Sequence, residues 1–173
     1  MNDFTATSTS NTITLTWTEP DPIPSNGYNA TRQCRRLCEE SLHNSVEETS
    51  SSLPLVFSDV NPDSYCTISL IGLYGNDTHA FGIVNTTTLY SEPTSSPENI
   101  TFLSVEARSL IVSWDDVPCS GQNGPITGYL LYYTNTTFSD TNNITEGENR
   151  EYTLTEPRPV SYTHLTLPTI LRV

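Results

Sequence analysis

Cations are scarce in this chain: Lys and Arg together number 7 against 20 Asp and Glu, for a formal net charge of −13. Such a surface repels phosphate backbones, which excludes nucleic acid as a partner, and it keeps the chain soluble. No apolar run approaches the ~20 residues a helix needs to cross a bilayer, so this stretch makes no direct membrane contact. The opening MNDFTATSTS has neither the basic start nor the apolar stretch of a secretory leader. We therefore read the chain as a fragment of a longer protein, with Met1 internal or an artefact of translation. Hydrophobic residues make up only 35%, below the ~45–50% of ordinary globular domains. The chain is still patterned, which points to thin cores rather than disorder.

Catalytic motifs are missing too. There is no Gly-x-Ser-x-Gly elbow, no His-Glu-x-x-His and no phosphate loop. His43, His79 and His164 are scattered, and the pairs Glu39-Glu40 and Glu47-Glu48 lie on polar stretches where water solvates them. No catalytic, cofactor or metal residue is expected, and the chain is not read as an enzyme. Cys34, Cys38, His43 and Cys66 match no familiar zinc spacing. No Arg-Gly-Asp tripeptide is present, so integrin recognition by that route has no support.

What is present is a repeat. Thr12–Pro20 reads TITLTWTEP and Ser109–Pro118 reads SLIVSWDDVP. Each is an alternating apolar/polar run that ends in Trp and is followed by Pro. The two residues, Trp17 and Trp114, stand 97 positions apart. That spacing predicts two tandem β domains of about 100 residues. Residues two apart share one side of a pleated strand, so Ile13, Leu15 and Trp17 face a core. Further strands are predicted at Tyr28–Arg36, Leu53–Phe57, Tyr65–Tyr74 and Phe81–Leu89. Glu39–Ser52 reads as loop or a weak edge strand. In the second half, strands are predicted at Ser109–Asp115, Ile126–Thr134 and Glu151–Thr155, with the polar stretch Asn135–Arg150 between the last two. In ITGYLLYYT, Tyr129, Leu131 and Tyr133 share a core face, while Leu130 and Tyr132 point the other way. Asn61-Pro62-Asp63 and Gly75-Asn76-Asp77 are turns by composition.

This order of features resembles two fibronectin type III domains over residues 4–157. Trp17 and Trp114 take the second strand, each before a proline loop, and Tyr28 and Tyr129 open the third. Phe57, Val60, Pro62 and Tyr65 match the family's corner, in which Tyr65 belongs to the core and its hydroxyl bonds back to the backbone before the turn. Pro97–Leu103 resembles a domain opening. The resemblance implies an all-β fold of two tandem immunoglobulin-like β-sandwiches, the second incomplete. The domains are placed at 1–91 and 98–157, joined by a proline-bearing linker at 92–97. It also implies third and sixth strands that are neighbours, so Cys66 can reach Cys34 or Cys38, while Cys34–Cys38 remains a local alternative. The first domain departs from the family in its three cysteines.

Function follows from the resemblance as an expectation. The chain is an extracellular protein–protein interaction or spacer module of a cell-surface receptor or adhesion protein, with other extracellular proteins as partners. Alternatives are the ectodomain of a transmembrane receptor phosphatase or kinase, and a secreted matrix protein. Six Asn-x-Ser/Thr sequons, at Asn29, Asn76, Asn85, Asn99, Asn135 and Asn143, fit that location. Asn76 and Asn143 are expected in turns, and Asn29 within a strand.

Residues 158–173, RPVSYTHLTLPTILRV, fit the second domain poorly and resemble translated sequencing-adapter read-through. Pro168 would interrupt a sixth strand. Reamplifying and sequencing the transcript across Thr155–Val173 tests this reading. A frame that continues past Thr155 with other residues is expected, and the same tail in fresh RNA contradicts it.

Overall fold

In Thr12–Thr18 every second residue is apolar, and the structure turns those residues inward. It is a computed structural model that describes residues 3–39, 41, 45–106, 109–135, 139–144, 150–155 and 162–166. The chain divides into two units, Met1–Ser91 and Glu92–Val173.

The described residues of the first unit form seven strands: β1 (Thr5–Ser8), β2 (Ile13–Thr16), β3 (Tyr28–Arg36), β4 (Val46–Ser50), β5 (Leu55–Phe57), β6 (Ser64–Tyr74) and β7 (Asp77–Thr87). They form a three-stranded sheet, β1-β2-β5, and a four-stranded sheet, β4-β3-β6-β7. All pairings are antiparallel. Between the sheets lie Ile13, Leu15, Trp17, Tyr28, Phe57, Ile68 and Leu70, all buried. Trp17 meets Tyr28 edge to face, with ring centroids 4.7 Å apart. Aromatic pairs in this arrangement are favoured by ring quadrupoles beyond their area of burial.

β4 is the edge strand of its sheet and all its residues but Ser50 are exposed. Its sequence VEETS has no apolar face, so only backbone pairing with β3 reveals it. At the Leu70/Ile71 bulge between β6 and β7, one extra residue changes the phase of β7. The ring of Phe81 then packs 5.7 Å from that of Tyr28. The close approach requires Gly72: a Cβ there would lie 2.6 Å from the Phe81 ring and 2.9 Å from Pro24.

Of the three cysteine pairings left open, the structure has Cys34–Cys66. The two residues are direct partners across β3 and β6. Their Cα atoms are 4.1 Å apart. No described cysteine is a free thiol.

The corner differs from expectation. Phe57 and Val60 are buried, but Tyr65 is 36% exposed and does not belong to the core. The cause is the period of two: Ser64, Cys66, Ile68 and Leu70 face inward, so Tyr65 between them faces out. Its ring lies beneath the Arg35 guanidinium, 5.7 Å away. Thr88 fastens the corner instead. Its hydroxyl donates to the Asn61 carbonyl at 2.8 Å and accepts from the Ser64 amide at 2.9 Å.

The second unit repeats the plan. Among its described residues the strands are β8 (Thr101–Glu106), β9 (Ser109–Ser113), β10 (Tyr129–Asn135), β11 (Ser139–Ile144), β12 (Glu151–Thr155) and β13 (Tyr162–Thr166), with a helical turn, α1 (Cys119–Gln122). The sheets are β12-β9-β8 and β11-β10-β13. Leu110, Val112, Trp114, Val117, Tyr129, Leu131 and Leu154 form its core. Trp114 and Tyr129 repeat the edge-to-face pair at 5.3 Å. Arg150 lies over the Tyr129 ring and pairs with Asp116. Burial pushes the Tyr129 hydroxyl up from its ordinary pKa, with Arg150 pulling it back.

β11 lies inside the polar stretch from which no strand was expected. It too is a polar edge strand, held by backbone pairing with β10. Of the expected linker, Glu92 and Thr94 are tied to this unit: Asn123 Nδ2 donates to the Glu92 carbonyl at 3.0 Å, and the Thr94 amide to the Gly121 carbonyl at 2.8 Å. Within the tail, Tyr162–Thr166 pairs with β10. Residues 158–161 and 167–173, Pro168 among them, lie outside the described residues.

Two outcomes follow for the first unit. Removing the disulfide, as C34A/C66A, releases a long loop in the unfolded chain and should lower stability by about 2–4 kcal/mol. Urea unfolding followed by Trp17 fluorescence in a W114F background measures it, and an unchanged midpoint would contradict the account. The second concerns Asp63, whose backbone is left-handed, with φ 49°. Burial raises its carboxyl above the ordinary 3.8. A raised folded pKa means that its contribution is full at low pH and is lost as pH rises through the folded value. Asn tolerates the same backbone conformation. Asp63→Asn should therefore raise the melting temperature at pH 7 and leave it unchanged below about pH 3. A gain of equal size at both pH values would refute this origin.

Candidate interaction surface

Two surfaces of the first unit present side chains outside the fully buried core. One is the outer face of the β4-β3-β6-β7 sheet. Because the strands alternate, Asn29, Thr31, Gln33 and Arg35 of β3 share that face with Tyr65, Thr67 and Ser69 of β6 and Ile83, Asn85 and Thr87 of β7. The face is mostly hydroxyl and amide. Thr67 donates to Asn85 Oδ1 at 2.9 Å, and Gln33 Nε2 to the Ser45 hydroxyl at 2.8 Å. Ile83, 71% exposed, is an apolar point within it.

The other surface is concave. After Trp17 the chain leaves β2, and Pro20, Pro22 and Pro24 supply no N–H for a ladder, so 18–27 becomes a loop. The Asp21–Pro22 peptide in it is cis. The facing wall is the β6–β7 hairpin. Tyr74 pairs with Asp77, which leaves a two-residue turn at Gly75 and Asn76. Gly75 has φ +63°, a conformation a glycine adopts without strain.

Several hydrogen bonds join the two walls. The Tyr74 hydroxyl donates to the Pro22 carbonyl at 3.1 Å. The Gly75 amide donates to Asn26 Oδ1 at 2.9 Å, and the Asn26 amide to the Leu73 carbonyl at 2.9 Å. Between them is a cleft of about 570 Å³, lined by Asp21, Pro22, Tyr74, Asp77, His79 and Phe81 among others. The Tyr74 and His79 rings stand edge to face at 5.4 Å. No Lys or Arg lines it. Sequence reasoning missed this cleft. The prolines read only as a strand stop, and His79 only as one of three scattered histidines. Aromatics at 74 and 81 on both arms of a tight hairpin were the available signal.

The sequons are placed as follows. Asn76 is in the hairpin turn and Asn85 on the outer sheet face, both exposed. Asn29 is in β3, partly buried, facing outward with Thr31. Asn99 is exposed, but its Nδ2 donates to Asp115 at 2.7 Å. Asn135 ends β10. Asn143 is not in a turn but in β11, opposite Leu130. The expectation failed there because its flanking Asn and Thr residues give a polar edge strand the composition of a turn.

Among the described residues, no three His, Cys, Asp or Glu side chains gather as a metal site. His43 lies outside the described residues. No described helix is long and apolar enough to cross a membrane.

Residues 95–162 match the family model of the fibronectin type III domain. Among curated relatives, phosphatidylinositol phosphatase PTPRQ of Rattus norvegicus is 27% identical over 107 residues, which is 62% of this chain and 5% of that protein. Netrin receptor DCC of Mus musculus is 41% identical over 54 residues, 31% of this chain and 4% of the receptor. Neogenin of Rattus norvegicus is 48% identical over 44 residues, 24% of this chain and 3% of that protein. The chain thus spans a small fraction of the relatives it matches. A solved segment of two fibronectin type III domains from chicken tenascin aligns with a TM-score of 0.44 and 19% identity, covering 98% of this chain and 99% of that one.

Proposed function

We propose that both units are fibronectin type III domains and that the chain serves as an extracellular interaction and spacer module of a cell-surface receptor or adhesion protein. Its work is binding and spacing rather than chemistry, and its partners are other extracellular proteins. The observation that carries this reading is the Cys34–Cys66 disulfide on a sheet whose outer face presents sequons. Disulfides persist in oxidising compartments, and sequons are used only in the secretory pathway. The relatives support it at the level of their names, one of which is a netrin receptor.

A second reading is favoured by one alignment. The match to phosphatidylinositol phosphatase PTPRQ covers 62% of the chain. In that reading these domains are the ectodomain of a receptor phosphatase, whose chemistry resides in a separate domain.

The chain, expressed behind a secretory leader in animal cells, should carry N-glycan at Asn76 and Asn85, the two exposed sequons of the first unit with no carboxylate holding the amide. A glycosidase should then reduce its mass, and the N76Q/N85Q variant should lose that part of the shift. A secreted chain with no glycan at either position would overturn the extracellular reading.

A further inference from the structure

The cleft between the 18–27 loop and the β6–β7 hairpin has a definite chemistry. Its rim carries the carboxylates of Asp21 and Asp77, both exposed. Its lining also includes the rings of Tyr74, His79 and Phe81. No Lys or Arg is among its lining residues. The described arginines of β3, Arg32, Arg35 and Arg36, stand four to eight positions past Tyr28, about 13–26 Å along the strand. The neighbouring Glu19 adds a further negative charge to the loop.

Carboxylates and aromatic rings in one lining suit one kind of guest. A guanidinium or ammonium gains charge-assisted hydrogen bonds from the carboxylates and quadrupole attraction from the rings. Its methylene stem covers apolar ring surface while the charged head stays near water. Anionic guests meet two like charges, and a neutral apolar one leaves the carboxylates unused.

The volume, about 570 Å³, is that of a side-chain or small-ligand site rather than of a broad docking groove. The walls are joined by hydrogen bonds from Tyr74 to Pro22 and from Gly75 to Asn26, so little ordering remains to be done on binding.

We propose that this cleft receives an arginine or lysine side chain of a partner protein. The proposal rests on the reading above that the chain binds other proteins, and it adds where one anchor sits and what it is. Asn76, at the hairpin tip, is not among the lining residues.

The test is an NMR titration of the isotope-labelled full chain, made without glycans in a bacterial periplasm. The probe is N-acetyl-arginine-methylamide, and the uncharged control is N-acetyl-norleucine-methylamide. The expected result is a saturable shift of backbone amides at residues 21 and 74–81 with the arginine probe alone. D21N and D77N should each weaken it by about two- to fivefold, as for an exposed ion pair, and salt should weaken it further. Both side chains are exposed, so the melting temperature should not move. Equal shifts with the norleucine probe, or arginine shifts absent from the cleft, would overturn the proposal. The comparison of probes on the unsubstituted chain decides this even where a variant folds poorly. A chain that is glycosylated on secretion but does not take the arginine probe refutes the cleft assignment only.

Discussion

The pairing of β3 with β6 is the constraint on which the first unit depends. Nine consecutive residues of β3 stand opposite nine of β6, from Tyr28 and Gly72 to Arg36 and Ser64. A slip of one residue would turn every side chain to the opposite face. Cys34 and Cys66 bond across this pair and hold the register. With that register, Tyr28 reaches Trp17, Ile68 and Leu70 enter the core, and Asn29, Thr31 and Gln33 face out. It also brings the loop after Trp17 against the hairpin after Tyr74, so the cleft is a consequence of the same pairing.

The aromatic pair is the second recurring device. Trp17 with Tyr28 and Trp114 with Tyr129 occupy equivalent places in the two units. Each joins the end of one sheet to the start of the next strand in the other. A Trp at the end of an alternating run, followed by a proline loop and then Tyr, is therefore a packing instruction. The repeat in the sequence is the repeat of this contact.

That explains what could be read in advance. Strands with an apolar face were legible: β3 and β12 run over the residues that their alternation predicts, Tyr28–Arg36 and Glu151–Thr155. Polar edge strands were not. Val46–Ser50 buries little and Ser139–Ile144 is polar in sequence, and the pairing of both comes from backbone groups that sequence pattern does not display. Tyr65 misled for a different reason. Its distance from the Asn61-Pro62-Asp63 turn suits an inward tyrosine, but the phase of β6 is set by Cys66, Ile68 and Leu70, and three inward residues outweigh one. The cleft was illegible because its walls are 50 positions apart in the chain and meet only in the fold.

The most direct test of the account is to map the disulfides of the secreted chain by mass spectrometry without reduction. The account predicts a linked peptide pair containing Cys34 and Cys66. A Cys34–Cys38 loop, or Cys66 as a free thiol, would contradict it. Either result would remove the lock on the β3–β6 register, from which the outer sheet face and the cleft both derive.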